Sequence, residues 1–119
     1  MALILLVEDE HLVARTFMRV MHALGYGCAW ASDVASALVI LREQPVSLIV
    51  TDVHLGDENG LDLVERASVD HPAVPVIVMS GRLDERMRAA AHALGAVQCL
   101  SKPIDLSSLK CAIEEHLRG

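Results

Sequence analysis

The sequence predicts a doubly wound α/β fold, in which five parallel strands form one sheet with helices on both faces. Short apolar runs, typical of buried strands, alternate with segments whose apolar residues recur every three or four positions. The predicted strands are Leu3–Val7 and residues 28–31, 46–51, 74–79 and 97–100. The 119 residues suit one domain, 1–119. Right-handed crossovers fit the strand order 2-1-3-4-5, with the mixed second strand at an edge.

Each of the five predicted helices has one apolar face. Gly25 and Gly95 are placed to end the first and fourth helices, Ser32 or Asp33 to cap the second, and Asp84 to begin the fourth. A polar loop at residues 56–60 follows the third strand. The residues expected to face the core are Val13, Phe17, Val20, Met21 and Leu24 in helix 1; Val34, Leu38 and Leu41 in helix 2; Leu61, Val64 and Ala67 in helix 3; Met87, Ala90, Ala91 and Leu94 in helix 4; and Leu106, Leu109, Ile113 and Leu117 in helix 5.

The composition limits the functional classes. Apolar residues make up 53% of the chain and aromatic residues only 3%, so the core must be aliphatic. The net charge is −6 without a basic stripe, which argues against direct nucleic-acid binding. Three cysteines without metal-binding spacing predict reduced thiols. We find no signal peptide and no apolar stretch long enough for a membrane span, so we expect a cytoplasmic protein.

Polar residues stand where the predicted strands stop. Glu8 and Asp9 follow the first strand, Asp52 the third, Ser80 the fourth and Lys102 the fifth. Because parallel strands end at a common edge, where such sheets bind ligands, these side chains are expected to converge. The predicted strand order sets Asp9 and Asp52 opposite each other across the switch point.

Converging carboxylates need a counter-charge. Two like charges about 4 Å apart repel by roughly 4 kcal/mol at an effective dielectric constant near 20, so three acids imply raised pKa values or a bound cation. Mg²⁺ is typically held by one or two carboxylates together with water and phosphate oxygens. Lys102 supplies a point charge for phosphate, and a carboxylate such as Asp52 can accept a phosphoryl group. The residues therefore predict a site for Mg²⁺ and a phosphoryl group together.

Four motifs at the strand ends carry a family resemblance. They are Leu-Val-Glu-Asp-Glu at residues 6–10, Thr-Asp-Val-His-Leu at 51–55 with Gly60 beyond, Met-Ser-Gly at 79–81, and Ser-Lys-Pro at 101–103. Over essentially its whole length the chain resembles the receiver domain of two-component response regulators. The resemblance implies a flavodoxin-like three-layer sandwich in which Asp52 accepts the phosphoryl group, Ser80 bonds a phosphoryl oxygen and Lys102 pairs with it.

The resemblance also implies the cofactor and its ligands. Mg²⁺ would be bound by Asp9 and Asp52, by Glu8 mostly through water, and by the backbone carbonyl of His54. The bond before Pro103 is expected to be cis, as it usually is in the family. The acidic pair here is Glu-Asp rather than Asp-Asp, which is a common variant.

Three further positions concern the duration and readout of the signal. His54 and Arg82 are expected at the mouth of the site, where family members tune the phosphoryl lifetime; the alternative is two merely exposed polar residues. Receivers usually carry Tyr or Phe three residues before the lysine as a rotamer switch, but this chain has Cys99. A cysteine cannot swing a ring between buried and exposed positions, so the usual relay is in question.

We therefore expect a phosphorylation-dependent switch rather than a turnover enzyme, with weak autophosphatase activity. Its partners would be a sensor histidine kinase or phosphotransfer protein, and a downstream protein or fused output domain. A homodimer through helix 4, strand 5 and helix 5 is possible. Cys99 favours one alternative, a non-phosphorylated interaction module. A flavodoxin-type flavin or nucleotide binder is disfavoured by the acids after strand 1. His54 disfavours a dehalogenase-like phosphatase, which needs a second aspartate there.

Overall fold

The protein folds as a three-layer α/β sandwich; the computed structural model describes residues 1–117. One sheet contains five parallel strands in the order β2-β1-β3-β4-β5, which confirms the predicted topology. Residues 118 and 119, at the end of the predicted domain, lie outside the described residues. The strands are β1 Leu3–Val7, β2 Gly27–Ala31, β3 Leu48–Asp52, β4 Val76–Ser80 and β5 Gln98–Ser101. The helices are α1 His11–Ala23, α2 Val34–Glu43, α3 Gly60–Asp70, α4 Glu85–Leu94 and α5 Leu106–Leu117.

The sheet is buried on both faces because its apolar residues point alternately to two sides. On β1, Leu5 and Val7 pack with residues of α2, α3 and α4. Their neighbours Ile4 and Leu6 pack with residues of α1 and α5. All four of these β1 side chains are fully buried. The continuous apolar runs in the sequence therefore reflect a sheet with helices packed on both of its faces.

Four strands differ in their bounds from the prediction, and β2 begins one residue earlier, at Gly27. Strands β3, β4 and β5 begin one or two residues later than expected and end one residue later. Val46 and Val74 precede their strands, and their backbone N–H groups bond locally to Gln44 and His71. They pack on the core without joining the sheet ladder, so hydropathy alone assigned them to strands. As a result, Asp52 and Ser80 are the last residues of β3 and β4 rather than the first residues beyond them.

Two residues predicted to face the core do not. Ala90 on α4 is exposed, and Leu106, the first residue of α5, is 55% exposed. Both lie at the margin of an apolar stripe, where a change of about 100° per residue moves a side chain from core to solvent. Ala37 and Leu63 are fully buried instead, beside the predicted positions.

The helices begin and end at the predicted capping and terminating residues. Gly25 and Gly95 adopt φ values of 93° and 119°, which a glycine tolerates without a steric cost. Asp33 and Asp84 cap α2 and α4 by accepting hydrogen bonds from backbone N–H groups of the first turn. Within residues 1–117, no helix is both long enough and apolar enough to cross a membrane.

The loop between β3 and α3 contains a small hairpin that was not predicted. His54–Leu55 pairs antiparallel with Glu58–Asn59, and Gly56 lies in the turn with φ of 63°. Two-residue strands have no periodicity to detect. The hairpin fixes the path of the chain immediately after Asp52.

Candidate functional site

Strand alternation places three charged side chains on one side of the sheet. Glu8 continues the series of Ile4 and Leu6, and Asp52 continues that of Leu48 and Val50, all of which face α1 and α5. Lys102 is two residues beyond Leu100, which packs in the same cluster. Since these strands run parallel, the three side chains meet at the carboxyl edge. We call Glu8, Asp9, Asp52 and Lys102 the acidic pocket.

Glu8 is held by several hydrogen bonds. Its backbone N–H donates to the Ala31 carbonyl at 3.0 Å, and its own carbonyl accepts from Trp30 Nε1 at 2.8 Å. Carboxylate oxygen Oε2 accepts from the Glu10 N–H at 3.1 Å. The second oxygen, Oε1, is buried and has no hydrogen-bond partner within residues 1–117; its ion-pair partner, Lys102 Nζ, lies 3.5 Å away. This oxygen is therefore available to a further ligand.

Asp52 is 4% exposed and its carboxylate is bonded on both oxygens. Oδ1 accepts a hydrogen bond from the His54 N–H at 3.1 Å, and Oδ2 is in a short contact with Lys102 Nζ. The neighbouring Thr51 hydroxyl donates to the Asp52 carbonyl at 3.0 Å. The carboxylate is consequently oriented before any ligand arrives.

Gly60 shapes the loop that follows Asp52. Its N–H donates to the Val53 carbonyl at 2.6 Å, and a Cβ at this position would overlap the carbonyl oxygen of Asp52. The backbone of Asp52 and the start of α3 are thus closer than any side chain allows. The sequence marked Gly60 as part of a motif, but only the structure shows this contact.

The charges of the pocket alter its protonation. Burial raises the pKa of Glu8; the Glu10 N–H and Lys102 oppose that rise, and Asp52 adds to it. For Lys102, burial favours the neutral amine, but the hydrogen bond and charge of Asp52, with the charge of Glu8, raise its pKa on balance. At neutral pH Lys102 is therefore a fixed cation that only partly offsets three carboxylates.

The donor set fits a hard divalent cation. Glu8, Asp9 and Asp52 each offer a carboxylate oxygen, and these oxygens lie within 4.8 Å of one another. The buried Oε1 of Glu8 lacks a hydrogen-bond donor, while Asp9 is exposed and leaves the pocket open to solvent. Oxygen-only donors with room for water match the preference of Mg²⁺.

The remaining predicted residues surround this pocket. Ser80 is fully buried, and its Oγ accepts from the Arg82 N–H at 3.1 Å, which leaves the hydroxyl hydrogen to donate elsewhere. The side chains of His54 and Arg82 are exposed and line a cavity of about 280 Å³ beside the pocket. The bond from Lys102 to Pro103 is cis, and the Lys102 N–H donates to the Ser80 carbonyl at 2.9 Å.

Cys99 lies apart from the pocket, in the middle of β5. Its half-buried side chain packs against the cluster on the α2–α4 side, and burial raises the pKa of its thiol. A surface cavity of about 380 Å³ adjoins it, lined also by Arg88, His92, Val97 and Gln98. We call these five residues the β5–α4 flank. A small thiol and open space stand where the resemblance leads one to expect an aromatic ring.

One contact of the pocket was missed by sequence reasoning. Trp30 on the edge strand β2 bonds the backbone of Glu8, yet no motif includes it. The only available signal was its rarity, since it is the single tryptophan of an aromatic-poor chain.

Comparison with known proteins identifies the family of this chain. A sequence model of the response regulator receiver domain matches residues 4–114. The alginate biosynthesis transcriptional regulatory protein AlgB of Pseudomonas aeruginosa is 33% identical over 96% of this chain, and TorR, the TorCAD operon transcriptional regulatory protein of Escherichia coli O157:H7, is 32% identical over 96%. The chain spans 25% of the length of AlgB and 49% of that of TorR.

A solved structure is similar over almost the whole chain. The signal receiver domain of an HD domain-containing protein from Pseudomonas fluorescens Pf-5 superposes with a TM-score of 0.92 at 28% identity. The match covers 98% of this chain and 94% of the other. The family match spans nearly every element that builds the acidic pocket. This chain therefore belongs to the response regulator receiver domain family of two-component signalling.

Proposed function

We propose that the chain is a phosphorylation-dependent switch in which Asp52 accepts a phosphoryl group from a phosphohistidine of a partner kinase or phosphotransfer protein. One observation carries the proposal: a buried, oriented carboxylate lies in contact with Lys102 and beside two further acids whose oxygens suit Mg²⁺. Such a site favours transfer by positioning its groups and balancing charge.

The chemistry needs little covalent machinery. A carboxylate oxygen of Asp52 attacks phosphorus, the new O–P bond forms as the P–N bond breaks, and the departing imidazole keeps the electron pair and takes up a proton. Lys102 moves from pairing with Asp52 to pairing with a phosphoryl oxygen, and the Ser80 hydroxyl donates to another. Asp9, Asp52, the His54 carbonyl and, through water, Glu8 would hold Mg²⁺, which would supply charge neutralisation at the transferring group.

The modified carboxylate would bias a two-state equilibrium. Phosphorylation adds negative charge and new acceptor oxygens at the carboxyl edge, so conformations that direct Ser80 and Lys102 toward them become favoured. The output would be a downstream protein or a fused output domain, consistent with relatives that are two to four times as long. We place this switch in the cytoplasm. A homodimer through α4, β5 and α5 is one form the output can take.

The proposal is tested with a small phosphodonor such as acetyl phosphate. Wild-type protein should gain one phosphoryl group in the presence of Mg²⁺, detected by intact-mass spectrometry, and lose it slowly when the donor is removed. Asp52→Asn should gain none. Asp57→Asn, on the exposed turn of the nearby hairpin, is the matched control and should behave as wild type. Equal labelling of wild type and Asp52→Asn, or no labelling of either, would refute the proposal.

A second candidate is an interaction module that works without phosphorylation. The observation that favours it is Cys99, which stands where the family usually has an aromatic ring that relocates. In that case partner binding would be the same with and without a beryllofluoride phosphoryl mimic. A flavin or nucleotide binder is disfavoured by the three converging carboxylates, which would repel a phosphate.

A further inference from the structure

We propose that Trp30 is a positioning residue that holds the acidic turn, residues 8–10, in the geometry that binds Mg²⁺. The inference rests on the proposed cation-dependent function and concerns a residue outside the family motifs described above. Its basis is two contacts of the indole, one with Glu8, the first residue of this turn, and one with His11, the residue that follows it.

The first contact extends the sheet beyond its last ladder bond. The final β1–β2 hydrogen bond runs from the Glu8 N–H to the Ala31 carbonyl at 3.0 Å. Beyond this point β2 offers no backbone donor to the Glu8 carbonyl. The indole N–H of Trp30 takes that place at 2.8 Å. The Trp30 side chain thus adds one hydrogen bond between β2 and the end of β1, and this bond fixes the backbone of Glu8.

The second contact steadies the start of α1. Glu10 is the N-cap of this helix but makes no side-chain capping bond, whereas α2, α3 and α4 are capped by Asp33, Asn59 and Asp84. His11, the first residue of α1, meets Trp30 edge to face, with ring centroids 4.9 Å apart and planes at 84°. Aromatic pairs favour this arrangement. The indole therefore supports the one of these four helix starts that lacks a side-chain cap.

The two contacts lie on either side of Asp9 in the sequence and hold the backbone that carries Oε1 of Glu8. Oε1 of Glu8 is buried without a hydrogen-bond donor, and its ion pair with Lys102 Nζ is 3.5 Å long, so its position depends mainly on the backbone and on the bond between Oε2 and the Glu10 N–H. Residues that hydrogen-bond to a metal-binding residue, and so orient it, typically have a strong effect on metal affinity. Removing the indole N–H would loosen Glu8 and Asp9, while the contact of Asp52 with Lys102 would remain.

The test is a Mg²⁺ titration of the unphosphorylated protein followed by amide NMR shifts of residues 8–10. Trp30→Phe keeps an aromatic ring and deletes the donor, and its dissociation constant for Mg²⁺ should rise about fivefold, the worth of one ordinary hydrogen bond. Tyr26→Phe, which deletes a polar group from a half-buried aromatic residue just before β2, should bind as wild type. His11→Ala should give a smaller rise, about twofold.

Two more measurements separate positioning from simple stabilisation. Urea unfolding without Mg²⁺ reports any general loss of stability. As the only tryptophan, Trp30 should also change its fluorescence as wild type binds Mg²⁺, with the same midpoint as the NMR shifts, and Asp9→Asn should abolish that response.

Each outcome decides the inference. An unchanged Mg²⁺ affinity in Trp30→Phe overturns the positioning role and leaves the proposed function intact. This holds even if urea unfolds that variant more easily than wild type. No Mg²⁺ binding by wild type overturns both. Should Trp30→Phe fail to fold, His11→Ala and the wild-type fluorescence decide: an unchanged affinity in the former, or a Mg²⁺-insensitive indole, overturns the proposal.

Discussion

The acidic pocket and the β5–α4 flank differ in how completely they are built. In the pocket, Asp52 is bonded on both carboxylate oxygens and Glu8 is held through its backbone and one oxygen. In the flank, Cys99 is small and half-buried and borders open space. The proposed site of phosphoryl acceptance is thus held by several hydrogen bonds, while the region expected to read it has a cysteine where the family usually has an aromatic ring. The two tasks are physically separable, and substitutions can address each alone.

The largest effect is expected from Lys102→Met in the pocket. Losing the ammonium group should slow phosphorylation by acetyl phosphate about a hundredfold, because a preorganised charge at the transferring group is lost. The same change should tighten Mg²⁺ binding, since a cation no longer competes for Asp52 and Glu8. Intact-mass kinetics and a Mg²⁺ titration measure the two effects.

Lys110→Met is the control for that change. Lys110 is exposed on α5 and its substitution should alter neither quantity. If Lys102→Met were phosphorylated at the wild-type rate, the pocket would not be the place where charge is balanced.

Gly60→Ala tests the frame of the pocket. The new methyl group would overlap the Asp52 carbonyl, so the free energy of unfolding should fall by about 1–3 kcal/mol and phosphorylation should slow as well. Urea denaturation gives the first value. Gly81→Ala is the matched control, because a Cβ there meets no atom within 4 Å. Equal stability of the two variants would contradict the close approach at Gly60.

Glu8→Gln separates binding from stability. Because burial raises the pKa of Glu8 in the folded state, the fold binds this proton more tightly than the unfolded chain does. The stability that Glu8 contributes is therefore present at low pH and lost as the pH rises through the folded pKa. At pH 7 the isosteric amide should thus raise the urea midpoint, and the gain should vanish toward pH 4.

The same variant should bind Mg²⁺ about tenfold more weakly, since an oriented oxygen of the cation site loses its charge. Glu10→Gln, an exposed neighbour, is the control for both measurements. A lower urea midpoint for Glu8→Gln at pH 7 would show that the pairing with Lys102 outweighs the cost of burial.

Cys99→Tyr should have the smallest effect on the phosphorylation rate. It tests most directly whether the acidic pocket and the β5–α4 flank act separately. The phosphorylation rate should stay within about twofold of wild type, because Cys99 packs on the face of the sheet opposite to that of Glu8, Asp52 and Lys102. A ring in the flank should instead enlarge the amide shifts of α4 and β5 on adding beryllofluoride. A tenfold fall in rate would mean that the two regions are coupled.

Thiol labelling checks the same point without substitution. The reaction of Cys99 with a disulfide reagent should change when the phosphoryl mimic binds. The exposed Cys111 is the internal reference, while burial raises the pKa of Cys28 to about 11 and keeps that thiol nearly unreactive at neutral pH.

Much of this architecture was predictable from the chain. Alternating periods predicted the parallel sheet, and right-handed crossovers with a mixed edge strand fitted the order 2-1-3-4-5. That order brings Asp9 and Asp52 together although they are distant in sequence. Local pattern could not show that Val46 and Val74 are buried outside the ladder, because hydropathy reports burial rather than hydrogen bonding. It also could not show the bond from Trp30 to Glu8, which joins a side chain on one strand to the backbone of another and leaves no periodic trace.

The shared facing of Glu8, Asp52 and Lys102 has a consequence for engineering. Each lies an even number of residues from a core side chain on the same face of the sheet. Inserting one residue into β1 would turn Glu8 to the opposite layer, away from its partners, with every amino acid of the motif still present. A design that transfers these residues to another parallel sheet must therefore reproduce the face of the sheet to which each strand directs its side chains, as well as the residues at the strand ends.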